Sequence, residues 1–244
     1  NSTNVQISGA NLSSTDVGVE VVLSDSVTIS NCVFYGDYYA LYYFNSSNIQ
    51  ADRLDVKNSS YAVYCEYANF TLTNSIIREG GDGIYIFESK SAEVHFCDIF
   101  SNKRCGMCNW GSYEVNATYN WWGSSNGPNA TCMCDAEDPE EVCGLVLYNP
   151  WSPTPYNDKY PPTVSIDAPK EGAYVRKTIT VKASASDDLK VANVTICVNG
   201  TKVAALSKPP YEYAWSTEGV SDGVYNITVI ACDFRAPRVL IGWL

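Results

Sequence analysis

The chain has 244 residues, 45% of them hydrophobic, and a net charge of −11. This length allows one large domain or two modest ones, each with its own core. No basic run occurs, which excludes nucleic acid and anionic membranes as expected partners, and no apolar stretch approaches the roughly 20 residues of a transmembrane helix. The chain opens at Asn1 without a signal peptide, so we expect that a leader was removed or that the chain is part of a longer one.

Cysteines and sequons point to an exported protein. The ten cysteines favour an oxidising compartment, although hyperthermophile cytosol also holds disulfides. The chain has ten Asn-x-Ser/Thr sequons, whereas about three are expected by chance. Turns rich in Asn, Ser and Thr also raise the number of sequons. The excess predicts N-glycans on an extracellular, cell-surface protein. The acceptors are Asn1, Asn11, Asn45, Asn58, Asn69, Asn116, Asn129, Asn193, Asn199 and Asn226.

Five segments of about 22 residues repeat in the first part of the chain. They start at Val5, Val27, Ile49, Phe70 and Glu93. Each holds short alternating runs broken by Asn, Gly, Ser or Asp, without helical periodicity. The period fits a leucine-rich repeat or a β-solenoid, and the units are poor in leucine. The pattern therefore predicts a solenoid whose short parallel strands stack about 4.8 Å apart.

Equivalent positions of the repeats form columns of alternating character. A tight-bend column comprises Gly9, Asn31, Arg53, Asn74 and Cys97. A small-residue column comprises Gly18, Ala40, Ala62, Gly83 and Gly106. The next column is predicted to point inward and comprises Val19, Leu41, Val63, Ile84 and Met107. The following column is predicted to point outward and comprises Glu20, Tyr42, Tyr64, Tyr85 and Cys108. A second inward column comprises Val21, Tyr43, Cys65, Ile86 and Asn109.

The repeats end in a segment with two tryptophans, Trp121 and Trp122, and a Gly127–Pro128 turn. Such residues would plug the open apolar end of a solenoid. The repeats resemble those of right-handed parallel β-helix proteins, the exported bacterial and archaeal group that includes NosD-like and pectate-lyase-like folds. The segment resembles the "NWWG…GP" closing motif of surface members, which a Pro-Trp pair such as Pro150-Trp151 follows. The resemblance covers about residues 2 to 155 and implies the fold rather than any one activity.

The rest of the chain reads as a second all-β domain. The predicted boundaries are a β-helix with a Trp-rich cap and a Cys-rich loop over 1–155, a Pro-rich linker over 156–162, and a sandwich over 163–244. Its predicted strands are Thr163–Asp167, Lys177–Ser186, Val191–Asn199, Lys202–Leu206, Tyr211–Thr217, Val224–Cys232 and Val239–Leu244. Seven short strands suit an immunoglobulin-like fold. The stretch from Pro161 resembles bacterial and archaeal immunoglobulin-like modules, which are usually spacers or adhesive units.

A cluster of cysteines late in the first domain allows two interpretations. Its members are Cys105, Cys108, Cys132, Cys134 and Cys143. Cys-x-x-Cys followed by Cys-x-Cys suits tetrahedral zinc, but the export signals favour disulfides, with one bridge closing the loop Cys134–Cys143. That acidic loop is a weaker candidate for Ca²⁺, because the Asp-x-Asp-x-Asp-Gly ligand pattern is missing. We therefore predict disulfides here and no metal or other cofactor.

A disulfide is also expected in the second domain. Val191–Asn199 and Val224–Cys232 are neighbouring strands of an immunoglobulin-like fold. Their alternation leaves Cys197 and Cys232 on the same outer face, so we predict that the two are bonded, which would add about 2–4 kcal/mol of stability.

No catalytic residue is predicted. The single histidine, His95, lies in a strand with no obvious acid partner and is interpreted as structural. Asp55, Glu79 and Asp82 of the repeats are the candidates for the paired carboxylates of a glycosidase, and Asp82 is expected near Arg104 or Tyr61. A small acidic and basic groove is the alternative to solvated turn charges, and no glycosidase motif supports it.

The outward ladder Tyr42, Tyr64 and Tyr85 has three interpretations: stacking that stabilises the coils, contact with another subunit or domain, or binding of sugar rings. We expect a structural subunit of an extracellular assembly (an envelope layer, sheath or filament) built from copies of itself. The first coil, from Val5, has no cap, so another copy or upstream sequence is expected to cover it, with Val239–Leu244 as a donor of contacts. The alternative is a secreted carbohydrate-binding or polysaccharide-cleaving β-helix protein.

Overall fold

The computed structural model describes residues 3–131, 141–157, 161–187 and 190–233. These residues divide into two compact units, Asn1–Asn157 and Asp158–Leu244. Strands and turns make up all the secondary structure described, which confirms the all-β prediction. No described segment forms a helix of the length and hydropathy that crossing a membrane requires.

Unit 1 is a β-solenoid built from three parallel sheets. Sheet A comprises, in spatial order, β1 (Thr3–Ser8), β4 (Asp25–Ser30), β7 (Ser47–Asp52), β10 (Phe70–Thr73), β13 (Ala92–His95), β16 (Val115–Asn116) and β19 (Val146–Leu147). Sheet B comprises β2 (Asn11–Ser13), β5 (Val33–Tyr35), β8 (Asp55–Lys57), β11 (Ile76–Arg78) and β14 (Asp98–Phe100). Sheet C comprises β3 (Val17–Val22), β6 (Tyr39–Phe44), β9 (Tyr61–Glu66), β12 (Asp82–Phe87), β15 (Cys105–Asn109), β18 (Glu141–Gly144) and β17 (Asn129–Thr131).

The repeat register predicted from the sequence is confirmed in sheet C. Val19 pairs with Leu41, and the same column continues through Val63 and Ile84 to Met107. All of these side chains are buried in one continuous core. Apolar side chains at alternate positions therefore point inward in every coil, which is what a strand period of two requires.

The predicted bend column is wrong by one residue in the fifth coil. Gly9 and Asn31 have left-handed φ angles of 68° and 52°, and the corresponding residue of the fifth coil is Phe96, with φ of 57°. Cys97 instead lies in the buried corner that follows the bend. The predicted alignment places the extra residue of this repeat at its start. In the structure the register is still unshifted at Lys103, whose amide donates to the carbonyl of Gly80, and it is shifted by one residue at Cys105, which pairs with Asp82. The extra residue is therefore Arg104.

The closing segment covers the core as predicted. Trp121 and Trp122 are fully buried, and Trp122 belongs to the solenoid core. Asn120 is also buried: its Oδ1 accepts the Cys97 amide at 2.9 Å, and its Nδ2 donates to two backbone carbonyls. Gly127 has φ of +82°, and a Cβ there would meet the Trp151 ring at 2.6 Å, so only glycine lets this turn close against the ring.

The first part of the predicted linker belongs to unit 1. The backbone amides of Tyr156 and Asn157 donate to the two carboxylate oxygens of Asp98, at 2.8 and 2.9 Å. Asp98 is fully buried, and these bonds satisfy a charge that would otherwise be costly to bury. The chain after the solenoid is therefore attached to sheet B through Asp98.

Unit 2 contains two three-stranded antiparallel sheets. One comprises β20 (Thr163–Ala168), β21 (Thr178–Ser186) and β24 (Tyr211–Ser216). The other comprises β23 (Thr201–Leu206), β22 (Asn193–Val198) and β25 (Ile227–Cys232). Both contribute to one core around Val181, Ile196, Trp215 and Val229. Six predicted strands match these elements, and the seventh, Val239–Leu244, lies outside the described residues.

The predicted bond between Cys197 and Cys232 is wrong, because both cysteines are free. The strands are neighbours and the two positions share a face, but in the antiparallel register Cys197 pairs with Thr228, and Cys232 pairs with Asn193. The two cysteines are thus four residues apart along the sheet, or about 13 Å at about 3.3 Å per residue. That separation is too long for a disulfide.

Candidate functional site

The outer surface of sheet C carries a cluster of aromatic side chains, which we call the tyrosine face. Its members are Tyr38, Tyr39, Tyr42, Tyr61, Tyr64 and Tyr85. Tyr42 stacks on Tyr64 with centroids 5.5 Å apart and planes 9° apart, and Tyr64 stacks on Tyr85 at 4.9 Å and 5°. The predicted ladder is therefore present, because the coil spacing of about 4.8 Å matches the spacing of stacked rings.

Sequence analysis singled out one tyrosine column, and the structure shows a second beside it. Tyr39 and Tyr61 start adjacent strands and stack at 5.2 Å. Tyr61 also meets Tyr64 edge to face at 5.5 Å, which joins the two columns. The signal that would have revealed this column was the recurrence of tyrosine three residues before Tyr42 and Tyr64.

The stacking decides which parts of the rings are accessible. Each ring in the middle of a column has its two faces directed at the coils above and below, so its edge and hydroxyl are directed to solvent. Binding of sugars by aromatic residues uses the ring face. Tyr64, with stacked neighbours at 5.5 and 4.9 Å, has no free face to offer, which weighs against the sugar-binding interpretation.

Several hydroxyls of this face have a pKa above the usual value. Partial burial, followed by the nearby Glu66 carboxylate, raises the pKa of Tyr64 to about 12. Burial also raises the pKa of Tyr39, Tyr42 and Tyr85. The face therefore presents hydroxyls that can each donate and accept a hydrogen bond.

An ion pair borders the tyrosine face. Arg104 donates from Nη2 and Nε to Oδ2 of the buried Asp82, at 2.7 and 3.0 Å, and its guanidinium lies 4.9 Å from the centre of the Tyr61 ring. The Asp82 carboxylate raises the pKa of Arg104. The prediction that Asp82 lies near Arg104 and Tyr61 is confirmed, and the pair with its cation–π contact organises this edge of the face.

Cysteines occupy the far end of the tyrosine columns. Cys105 and Cys108 are bonded to each other, and Cys143, which pairs with Cys108 in the sheet, is also disulfide-bonded. Asp82 lies near these sulfurs, with Oδ1 3.4 Å from Sγ of Cys105. Bonded sulfurs offer no thiolate to zinc. The other two cysteines of the cluster, Cys132 and Cys134, and most of the acidic loop proposed for Ca²⁺ lie outside the described residues.

The remaining carboxylates proposed for a groove each have a cationic partner. Asp55 pairs with Arg78 at 3.3 Å, and Glu79 pairs with Lys57 at 3.2 Å. Asp52 pairs with its neighbour Arg53 at 2.6 Å. A glycosidase needs one carboxylic acid and one carboxylate flanking the substrate. Carboxylates neutralised by adjacent cations do not resemble such a pair.

His95 differs from its prediction, because it has an acid partner. Nε2 lies 2.8 Å from Oε2 of Glu93, two residues earlier, and Nδ1 lies 2.8 Å from the backbone oxygen of Thr118. The Thr118 hydroxyl is nearby, at 3.3 Å from Nδ1. Both ring nitrogens thus have partners that fix the orientation of the ring. The contacts agree with the structural role predicted for His95.

All the described sequon asparagines have solvent-accessible side chains. Those most exposed are Asn11, Asn45, Asn58, Asn129, Asn199 and Asn226. Those partly exposed are Asn69, Asn116 and Asn193. Asn1 lies outside the described residues. None of the nine lies on β3, β6, β9, β12 or β15. Asn129 lies on β17, the last strand of sheet C, and Asn45 and Asn58 lie in turns at opposite edges of that sheet.

These features define a parallel β-helix protein with an appended immunoglobulin-like module and an aromatic outer face. The right-handed beta helix region family matches residues 1–128, which is more than half of the chain, and the chain belongs to that family. The bacterial Ig domain family matches residues 162–229. β-Helix proteins include both enzymes and non-enzymes, and both families are typical of surface proteins.

Among solved structures, the chain is similar to the fibronectin(III)-like modules of Clostridium thermocellum CbhA. The identity is 30% over 41% of this chain and 47% of that chain, with a TM-score of 0.30. The alignment thus spans about half the length of that structure. No curated protein matches the chain.

Proposed function

We propose that this protein is a non-catalytic, glycosylated structural subunit of an extracellular surface assembly. The observation that carries the proposal is the separation of two kinds of surface. Eight accessible glycan acceptors lie in turns and on other sheets, and Asn129 lies on β17 at the end of sheet C, while the aromatic part of that sheet, β3 to β15, holds none. Glycans would shield the first kind of surface and leave the second open to protein contact, where tyrosine is enriched.

The character of the sheet C face supports contact with protein rather than catalysis. Two of its charged residues, Asp82 and Arg104, are bonded to each other, and its rings are stacked and preorganised. Tyrosine side chains held in this way lose little entropy when a partner binds. The polysaccharide alternative would need free ring faces or a pair of carboxylates. At the centre of the described face the Tyr64 ring is stacked on both sides, and the single carboxylate there, Glu66, lies between Phe44 and Phe87 in its column.

The proposal is tested on protein isolated from its native source. We expect intact-mass analysis to show glycans on at least four of the ten sequons, and electron microscopy of the cell surface to show an ordered lattice or filament labelled by antibodies to this chain. A bare polypeptide found only as dispersed monomer would overturn the proposal. Cleavage of uronate polysaccharides by the purified protein, with Ca²⁺ present, would establish the alternative.

A further inference from the structure

The outer face of sheet C is complementary to the same face of a second copy whose coils run in the opposite order. Four columns of outward residues run from the first coil to the fifth. The corner column is Asp16, Tyr38, Ser60, Gly81 and Lys103. The first strand column is Val17, Tyr39, Tyr61, Asp82 and Cys105. The middle column is Glu20, Tyr42, Tyr64, Tyr85 and Cys108. The last column is Val22, Phe44, Glu66, Phe87 and Trp110.

We propose that this face pairs with the same face of a second copy, about a two-fold axis that runs along the central strand β9. The inference rests on the proposed structural role and specifies the contact between subunits. Such an axis reverses the order of the coils and keeps each position along the strand. The two solenoids therefore run antiparallel, and the first coil of each copy faces the fifth coil of the other.

Charge supports this arrangement at the corner column. Asp16 in the first coil comes opposite Lys103 in the fifth, and symmetry repeats the pair. Both side chains are exposed, and neither takes part in an ion pair among the described residues. The pairing gives each of these charges an opposite partner in the other copy.

The aromatic side chains support the same arrangement. Tyr38, whose exposure of 52% makes it the most accessible tyrosine of the face, comes opposite Gly81. The Arg104 guanidinium lies over Gly81, with Nη2 2.9 Å from where a Cβ would be, so the Tyr38 ring meets a cation. Tyr42 comes opposite Tyr85, and Tyr64 comes opposite its own copy. Phe44 comes opposite Phe87 in the last column, so aromatic side chains face each other at the centre and at one rim.

The other face-to-face arrangement is less favourable. A two-fold axis along the solenoid would keep the coils in order and reverse the strand positions. Tyr38 would then lie against the sequon Asn45, and Asp16 against Leu23, so a glycan acceptor would enter the contact and Asp16 would meet no opposite charge. Glu66 would come opposite Tyr61, over which Arg104 lies. The antiparallel arrangement also has one unfavourable feature, since Glu66 lies near the axis and faces its own copy.

The size of the face sets the expected strength. Five coils spaced by about 4.8 Å and six-residue strands of about 3.3 Å per residue give a flat area of about 400 Å² per copy. Stable interfaces bury about 800 Å² per partner. We therefore expect reversible pairing at about 0.1 mM and above, reinforced in an assembly where subunits make several contacts.

Charge reversal with mixing tests the proposal on the full chain by sedimentation velocity. Asp16→Lys and Lys103→Asp are each expected to weaken self-association about tenfold, because like charges then meet twice. An equimolar mixture of the two variants is expected to regain wild-type association, because both charge pairs are restored in the heterodimer. Lys90→Asp, the same charge change at an exposed turn outside the face, is the matched control and should leave association unchanged.

Glu66→Gln gives a second signature, since it removes the charge that faces its own copy and should strengthen association about threefold. Two results would each overturn the pairing: a mixture that associates no better than its components, or a wild-type chain that stays monomeric up to about 1 mM. If native assemblies still form in either case, the structural role stands and only this contact is wrong.

Discussion

The outer faces of sheets A and C are built on the same coil spacing and differ in almost everything else. Sheet A presents the polar column Gln6, Thr28, Gln50, Thr71, Glu93 and Asn116, in register from coil to coil. Sheet C presents stacked tyrosines. A parallel in-register stack repeats whatever interaction a column carries, so it allows weak polar contacts on one face and continuous ring stacking on the other.

The largest expected difference concerns the centres of the two columns. Tyr64→Ala removes two stacking contacts and part of the side-chain burial, and we expect it to lower the free energy of unfolding by about 2–3 kcal/mol. Gln50→Ala, in the same coil on sheet A, loses one side-chain bond of 3.4 Å to Thr71 and should cost below about 0.5 kcal/mol. Urea denaturation measures both. Equal losses for the two variants would show that the ladder does not stabilise the coils.

A smaller difference is expected between the ion pairs of the two faces. Arg104→Met leaves the buried Asp82 without its cation, and we expect a loss of about 1–2 kcal/mol, since Arg104 itself is half exposed. Arg53→Met on sheet A breaks an exposed pair with Asp52 and should cost about 0–0.5 kcal/mol. Thermal unfolding at neutral pH compares the variants. A loss for Arg53→Met as large as that for Arg104→Met would contradict this ranking.

The smallest expected effect is a pH dependence of opposite sign on the two faces. On sheet A, burial by itself would raise the pKa of Asp52. Hydrogen bonds from Asn74, Arg53 and Thr73 outweigh that effect and hold the pKa below its usual value. Its contribution is therefore present above about pH 4 and lost as the pH falls. On sheet C, the pKa of Tyr64 is raised to about 12, so its contribution is present below about pH 10 and lost as the pH rises toward 12.

Melting temperatures between pH 2 and pH 12 test this contrast. Asp52→Asn should flatten the acid limb only, and Tyr64→Phe the alkaline limb only. An alkaline slope should persist in Tyr64→Phe, because burial also raises the pKa of the Cys65 thiol to about 12. If Asp52→Asn changed the alkaline limb as strongly as Tyr64→Phe, the assignment of the two limbs to the two faces would be wrong.

The sequence predicted the columns of sheet C well because inward and outward positions alternate at a fixed repeat length. It failed where one inserted residue had to be placed within a repeat. Composition alone does not show whether an extra residue enters at the start of the repeat, before Glu93, or in the turn at Arg104. The structure puts it at Arg104, where the side chain pairs with Asp82 and covers Tyr61.

Sequence patterns by themselves determined the β-solenoid, its tryptophan cap, the immunoglobulin-like module and the tyrosine ladder, because each depends on local periodicity and residue size. Contacts that depend on register across distant strands were decided only by the tertiary structure. Register separates Cys197 from Cys232 by four residues although the two share a face. It also brings a second tyrosine column beside the first and aligns Asp16 and Lys103 at opposite ends of one column. A pattern of alternation specifies which way a side chain points, and only the pairing of strands specifies what it meets.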